Sequence, residues 1–287
     1  STPSNSSAAS DVYKRQINDR GRMKSQFTYE EFTKRQKYIF SEADTKRIRD
    51  SKIGVFGVGG NGAPSAIALT RFGVGYLRLV DPDVVELSNL GAQPYSIDDL
   101  NVPKVKTLCD MIQKINPLAK VEAIFDSITD ANVYQHLKGL NVVIDGMDDY
   151  RAKVALSRAA KERRIPIVHT SGLGYRGSLV VFMPGGPTYE ELFELPSKGK
   201  ELKQVSDLEF LEHRRKVARI ICENMFPDDV IERMNEPDMP WHGLVAPCHI
   251  FGVWGAMEAI KIVIGKSDKV ITAPRILHID FMSNKVT

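Results

Sequence analysis

The motif Gly-x-Gly-x-x-Gly at residues 57–62 constrains the fold more than any other part of the sequence. It follows directly on the short apolar run Lys52–Phe56 and opens a longer segment, up to Gly73, whose apolar residues recur at helical spacing. Glycine at such a junction permits a tight turn and a close approach of the backbone to a neighbouring group. This spacing between a strand and a helix is typical of the first βα unit of an open α/β sheet.

The rest of the chain supports that interpretation. Apolar runs of strand length alternate with helical segments up to about Thr170, which predicts a Rossmann-like, doubly wound and mostly parallel sheet. Beyond that point a longer strand and a final strand predict an antiparallel C-terminal part, with a helical insertion at about residues 185–242. The last helix, Leu244 to Gly265, is apolar on most of its circumference, so we expect it to be buried.

Composition narrows the class of protein. The net charge of +3 is too small to indicate a nucleic-acid partner or a membrane surface, and the longest apolar runs are too short to span a bilayer. Three cysteines without a CxxC pair predict neither a disulfide framework nor a zinc site, which favours a reduced, cytoplasmic protein. We expect residues 1–22 to be a non-native or disordered leader and residues 23–287 to form one domain. The chain ends on a strand or hairpin, so we expect a C-terminal tail to be missing.

The glycine loop predicts a phosphate-binding helix N-terminus, but by itself it is compatible with NAD or ATP. Asp81 closes the next strand, where an acid accepts hydrogen bonds from a ribose. A long polar loop then leads to Lys104, whose charge can reach a phosphate chain. Asp145, Asp148 and Asp149 follow a later strand, where a carboxylate beside phosphates holds Mg²⁺, although Asp149 is expected to cap the next helix. These features favour ATP.

From Phe32 to Val286 the sequence resembles the ThiF/MoeB/HesA family, the bacterial relatives of ubiquitin-activating enzymes. The motifs that carry the resemblance occur in family order: "TKRQ" (33–36), "GVGGNG" (57–62), "LVDPDVVELSNLGAQ" (79–93), "VPK" (102–104), "DGMDD" (145–149) and "LVAPCHIFGVWGAMEAIK" (244–261). Such a resemblance implies binding of ATP with Mg²⁺ and adenylation of a carboxylate, commonly the C-terminal glycine of a ubiquitin-fold sulfur carrier. It also implies a homodimer.

The resemblance implies a role for each matching residue. The backbone of Gly57, Gly59, Gly60, Asn61 and Gly62 would line the ATP site, together with Gln93. Asp81 would bind the ribose with Asp83 nearby, Asn89 and Lys104 would contact the phosphates, and Asp148 would ligate Mg²⁺. Arg35 would reach the ATP of a partner subunit, and the alternative for this residue is an ordinary exposed helix arginine. Arg35, Lys104 and Asp148 are the expected catalytic residues.

Three departures from the family pattern bear on function. Ala92 stands where the family has an arginine at the ATP phosphates, for which Arg35, Arg71 or Arg151 could compensate. Thr188 and Glu191 stand where many members have the first zinc-binding cysteine pair, which predicts no zinc site. The crossover loop, about residues 184–205, contains no cysteine, so we expect adenylation without an enzyme thioester; Cys222 is a possible substitute, and the alternative for it is a small core residue.

Two alternatives to an adenylyltransferase follow from these departures and from the glycine loop. The first is a non-catalytic scaffold that binds a nucleotide or a ubiquitin-fold protein, which Ala92 supports. The second is an NAD-dependent oxidoreductase, which the glycine loop alone permits. His169 and His249 are isolated in the sequence and predict no catalytic triad, and Cys248 is expected to be a core residue.

Overall fold

The structure is a computed structural model that describes residues 27–221, 225, 228–233 and 243–287. Its eight strands form one sheet in the order β3-β2-β1-β4-β5-β6-β7-β8. The strands are β1 (Lys52–Phe56), β2 (Tyr76–Val80), β3 (Lys120–Ile124), β4 (Val142–Asp145), β5 (Ile167–Leu173), β6 (Arg176–Phe182), β7 (Leu277–Asp280) and β8 (Lys285–Val286). The first five are parallel and the last three antiparallel, as the sequence predicts.

Helices cover both faces of this sheet. They are α1 (Tyr29–Thr33), α2 (Glu42–Asp50), α3 (Gly62–Phe72), α4 (Lys104–Ile115), α5 (Val133–Leu137), α6 (Tyr150–Arg163), α7 (Tyr189–Leu192), α8 (Asp207–Ile221), α9 (Asp228–Arg233) and α10 (Val245–Val263). One apolar core lies between the sheet and α3, α4 and α10, and a second lies between the sheet and α5, α6 and α7. Among the described residues, no helix is long and apolar enough to cross a membrane.

The strand order reverses its direction at β1 and β4. The chain runs outward from β1 to β2 and β3, then returns to place β4 on the other side of β1. Ligands of open α/β sheets bind in the crevice that such a reversal leaves outside the carboxyl ends of the strands. The loop at residues 57–62 and the turn at residues 146–149 both lie at this edge, because they follow β1 and β4.

The expectation that α10 is buried around most of its circumference is wrong for one of its faces. Phe251 and Ala256 are fully buried against the sheet and α3. Val245, Ile250 and Val253 are between 43% and 49% exposed. A helix that packs on one side of a sheet buries only the face turned toward that sheet, and the apolar composition of the other face does not change this geometry.

The segment 185–242, of which residues 222–224, 226–227 and 234–242 lie outside the described residues, contains α7, α8 and α9. Thr188 and Glu191, which stand at the expected zinc-ligand positions, form a capping box at the start of α7. The Thr188 hydroxyl accepts from the Glu191 N–H, and the Glu191 carboxylate accepts from the Thr188 N–H at 2.6 Å. Cys222 lies outside the described residues, so its proposed role as a thiol substitute stays a prediction.

Candidate functional site

A cavity of about 480 Å³ opens at the carboxyl ends of the parallel strands, within the usual size range of ligand sites. Ten of the residues that the resemblance assigns to the ATP site line it: Gly57, Gly59, Gly60, Asn61, Asp81, Asp83, Asn89, Gln93, Lys104 and Asp148. Gly62 and Arg35 do not line it. Residues distant in the sequence therefore meet at the point where the strand order reverses.

The glycine loop is held in shape by close backbone packing. Gly57 has a φ of 79°, in the left-handed region, and a Cβ there would lie 2.6 Å from the backbone of Gly146. A Cβ at Gly62 would overlap the carbonyl oxygen of Gly57, so the third glycine serves the turn itself. On the other side, the Tyr95 hydroxyl donates to the carbonyl of Val58 at 2.6 Å. These contacts hold the loop from within the chain, and Gly59 lines the cavity, where an added Cβ would meet the side chain of Gln93 at 3.7 Å.

Asp81 is buried at the end of β2 and supports the glycine loop. One carboxylate oxygen accepts from the Val58 N–H at 2.7 Å, and the other accepts from the Asp83 N–H at 2.9 Å. Burial raises the pKa of Asp81, while Lys104 and these two N–H groups act in the opposite direction. Since a carboxylate has about four lone-pair sites, Asp81 can accept from a ribose hydroxyl as well.

Lys104 lies in the first turn of α4 with its side chain only 7% exposed. Its ammonium group is 2.8 Å from a carboxylate oxygen of Asp83, whose side chain is 60% exposed. The buried side chain of Lys104 places its ammonium group at the cavity wall. The exposure of Asp83 means that this carboxylate can be solvated when Lys104 turns toward another anion.

In the described part of the chain, three side-chain amides line the cavity, and two of them have a buried oxygen without a hydrogen-bond partner. These oxygens are Oδ1 of Asn61 and Oε1 of Gln93. Asn89 differs from these two, because its Oδ1 accepts a hydrogen bond from the Glu86 N–H at 3.1 Å. A half-turn of an amide exchanges its acceptor for a donor, so Asn61 and Gln93 can present either one to a ligand. Buried polar atoms without a partner are rare in proteins, and these two fit a polar ligand in the cavity.

The turn after β4 carries Asp148 and Asp149. Asp149 is the N-cap of α6, and its carboxylate accepts from the Arg151 N–H at 2.8 Å, which confirms the predicted cap. Asp148 lines the cavity. Mg²⁺ is commonly held by one or two carboxylates together with substrate phosphates, so Asp148 beside a phosphate chain fits such a site. Among the described residues, no group of three or more His, Cys, Asp or Glu side chains could hold a metal without a substrate.

A buried ionic cluster lies under this turn. The Lys153 ammonium is 3.0 Å from Asp145, and His169 Nδ1 is 2.9 Å from the same carboxylate oxygen. The other oxygen of Asp145 accepts from the Met147 N–H at 3.1 Å, which fixes the turn before Asp148. Burial opposes ionisation of Asp145, but Lys153 and His169 outweigh it and lower its pKa to about 2. Burial and the charge of Lys153 lower the pKa of His169, so this imidazole is neutral and donates from Nδ1.

The sequence analysis missed this cluster and treated His169 as isolated, which is wrong. Asp145 and His169 are direct neighbours on β4 and β5, and both Lys153 and His169 line the cavity. The cross-strand register brings them together, and register is not visible in either strand segment alone. A signal was nonetheless present, since two polar residues closing consecutive buried parallel strands must meet at the same edge of the sheet.

Arg35 and Arg71 lie far from the cavity of their own chain. Arg35 belongs to a short 3-10 helix whose neighbouring residue Gln36 donates to the carbonyl of Arg71 at 2.8 Å. Arg71 is in the last turn of α3, and the glycine loop is at the other end of that helix, about 15 Å away. Neither arginine can replace the one absent at position 92 within the same chain.

Arg151, the third candidate, is engaged elsewhere. Its guanidinium donates to the carbonyls of Leu202 and Val205 and to a carboxylate oxygen of Asp207, each at 2.7 Å. It therefore holds the 185–242 segment to the start of α6. Ala92 itself lines the cavity, and its carbonyl is 3.1 Å from His249 Nε2 on α10.

The strand order, the glycine loop at its reversal and the carboxylates at the strand ends define a Rossmann-like α/β protein. Residues 33–287 match the model of the ThiF family, and the chain belongs to that family. The fold and the family that the sequence predicts are both confirmed.

Individual relatives match part of the chain. It is 35% identical over 155 residues to the SAMP-activating enzyme E1 of Haloferax volcanii, which covers 53% of this chain and 57% of that protein. It is 34% identical over 138 residues to the tRNA threonylcarbamoyladenosine dehydratase of Escherichia coli, covering 47% and 52%. The chain thus spans about half the length of the curated relatives it matches. A crystal structure of that dehydratase in complex with AMP has the same fold, with a TM-score of 0.57, 23% identity, and coverage of 80% of this chain and 93% of that one.

Proposed function

We propose that this protein is an ATP- and Mg²⁺-dependent adenylyltransferase that activates a carboxylate. The observation that carries the proposal is the meeting of the glycine loop, Lys104 and Asp148 around one cavity at the reversal of the strand order. The names of several related proteins, among them the molybdopterin-synthase adenylyltransferase of Haemophilus influenzae, support the same type of reaction.

Bound ATP with Mg²⁺ would supply the adenylyl group and neutralise part of the phosphate charge. The glycine loop and the N-terminus of α3 would bind the phosphates through backbone N–H groups. Lys104 would leave Asp83 to contact the phosphates, and Asp148 would hold the metal. Asp81 would orient the ribose. A substrate carboxylate oxygen would then attack the α-phosphorus while the bond to the β-phosphate breaks, so pyrophosphate leaves and little proton transfer is needed.

We propose the C-terminal glycine of a ubiquitin-fold carrier protein as the substrate, and a homodimer as the working unit. The SAMP-activating relative supports a protein carrier, whereas the dehydratase relative acts on a tRNA nucleoside, so the class of carboxylate is the part that needs an experiment. In a homodimer, Arg35 of each subunit would serve the cavity of the other, which agrees with its distance from the cavity of its own chain. We further propose that residues 23–287 form a single domain, without zinc, that acts in the cytoplasm.

The test is exchange of labelled pyrophosphate into ATP. The purified protein with Mg²⁺ is mixed in turn with ubiquitin-fold proteins encoded near it, each with a free C-terminus and, as a matched control, without its last glycine. Exchange that depends on the terminal glycine supports the proposal and identifies the substrate. Nucleotide binding without exchange, across all candidates and small carboxylates, contradicts it.

The second candidate is a non-catalytic binder of nucleotide or ubiquitin-fold protein, which the absence of an arginine at position 92 favours. It predicts stabilisation by ATP without exchange. A thermal shift comparison of ATP with NAD also separates either candidate from an oxidoreductase, because a ligand at a hundred times its dissociation constant stabilises the folded state by about 2.7 kcal/mol.

A further inference from the structure

Among the described residues, the carboxylates that line the cavity outnumber its cations. Six carboxylate side chains line it: Asp81, Asp83, Glu86, Asp126, Asp148 and Asp149. The two lysines that line it, Lys104 and Lys153, are both paired with carboxylates. A polyanionic ligand in this cavity would therefore be stabilised by a further cation, which the alanine at position 92 does not supply.

Helix α8 is docked against the start of α6, directly beside the turn that carries Asp148. Asp207, in the first turn of α8, is paired with Arg151 at 2.7 Å. Phe210, one turn later, is buried, with its ring centroid 5.3 Å from the Arg151 guanidinium carbon. The ring centroid of His213 lies 6.5 Å from that of Tyr150, the first residue of α6. One face of α8 thus packs against the N-terminal end of α6.

Arg214 lies on that same face. It is four residues after Phe210 and seven after Asp207, and residues at these spacings share one side of a helix. The residue is partly buried. Burial lowers its pKa, and the nearby Tyr150, Asp148 and Asp149 act in the opposite direction. Tyr150, Asp148 and Asp149 all line the cavity, so Arg214 lies behind its wall on the side of the proposed metal ligand, although it is not itself one of the lining residues.

We propose that Arg214 is a catalytic residue that contacts the ATP phosphates and replaces the arginine absent at position 92. The inference rests on the proposed ATP site. The positive charge at the phosphates would then come from the 185–242 segment, whereas position 92 lies in the loop after β2. An arginine suits this position, since its planar group binds phosphate oxygens through two parallel hydrogen bonds.

The experiment compares the affinities for ATP and for adenosine, measured by calorimetry with Mg²⁺ present. The variants are Arg214→Ala, Arg214→Lys, Ala92→Arg and the double variant Arg214→Ala/Ala92→Arg. Lys216→Ala is the matched control, because Lys216 is an exposed cation on the same helix. Thermal unfolding of each variant reports whether it is folded.

We expect Arg214→Ala to weaken ATP binding about tenfold or more while adenosine binding is unchanged. Arg214→Lys should retain part of the affinity, and Ala92→Arg should restore it in the double variant. Unchanged ATP affinity in Arg214→Ala overturns the proposal. So does a parallel loss of ATP and adenosine binding that Ala92→Arg does not restore, since Arg214 then acts only in folding. Wild-type protein that binds ATP without exchange contradicts the proposed reaction but leaves the role of Arg214 testable in binding.

Discussion

Gly57 and Gly146 are in backbone contact: a Cβ built on Gly57 would lie 2.6 Å from the carbonyl carbon of Gly146 and from the nitrogen of Met147. Gly146 also donates its N–H to the carbonyl of Phe56 at 2.8 Å. This contact joins the glycine loop after β1 to the turn that carries Asp148 after β4. The two motifs of the proposed ATP site are thus held against each other by main-chain atoms.

Gly57→Ala tests this contact. The variant has to place a side chain at a φ of 79° and also displace the neighbouring backbone, so we expect it to destabilise the protein by about 2–5 kcal/mol. Gly139→Ala is the matched control, because Gly139 has a φ of 78° and nothing within 4 Å of its added Cβ. In that control, the free energy of unfolding should fall by only about 1–2 kcal/mol. Urea unfolding measures both, and equal losses would mean that the contact with Gly146 contributes nothing.

Asp148→Asn tests the metal site. The amide keeps the size of the side chain but loses the charge that Mg²⁺ prefers, so pyrophosphate exchange should fall by about a hundredfold or more. The Mg²⁺ concentration for half-maximal exchange should rise. Asp130→Asn, an exposed residue outside the cavity, provides the control and should behave as wild type. An unchanged Mg²⁺ requirement in Asp148→Asn would remove the role assigned to this carboxylate.

Lys104→Met tests the phosphate contact. Methionine retains most of the buried side-chain volume, and the exposed Asp83 carboxylate can be solvated, so the free energy of unfolding should change little. Exchange should fall by about a hundredfold, with adenosine binding retained. Lys106→Met, at an exposed position on the same helix, is the comparison variant. Loss of adenosine binding in Lys104→Met would show that the lysine supports the fold of the site and not the phosphates.

Much of this architecture could be predicted from local sequence. The glycine at position 73 ends α3 in the left-handed conformation, and Asp149 begins α6, because the chemistry of caps depends on a few adjacent residues. The exposed face of α10 could not be predicted in this way. Its composition resembles that of a buried helix, and which face meets the sheet is decided by tertiary packing.

The candidate site likewise contains residues that could be predicted from local sequence and residues that could not. The loop residues and Asp148 were found because they belong to a contiguous motif at a strand end. Arg214, the proposed phosphate contact, was not found, since it lies in the 185–242 segment and only the docking of α8 on α6 brings it near the cavity. The pairing of Asp145 with His169 required the register of two parallel strands. Both features depend on contacts between segments that are distant in the sequence.

The buried cluster of Asp145, Lys153 and His169 predicts a specific dependence of stability on pH. The pKa of His169 is lower in the folded protein than its ordinary value of 6.5, so the unfolded chain binds more protons below pH 6.5. The stabilisation from neutral His169 is therefore complete above pH 6.5 and is lost as the pH falls through the lowered pKa. Asp145, with its pKa lowered from 3.8 to about 2, adds a second loss only below pH 3.8.

His169→Gln separates the loss of stability due to His169 from the later loss due to Asp145. Glutamine can still donate to Asp145 but does not titrate, so the free energy of unfolding should fall less steeply between pH 6.5 and pH 4.5 than it does in the wild type. Part of the slope should remain, because burial also lowers the pKa of His278, and burial together with Lys216 lowers that of His213. The measurement is urea unfolding at several pH values for both proteins. Parallel curves would mean that His169 has the same pKa in the folded and unfolded states, and the burial of its imidazole would then contribute nothing to the dependence of stability on pH.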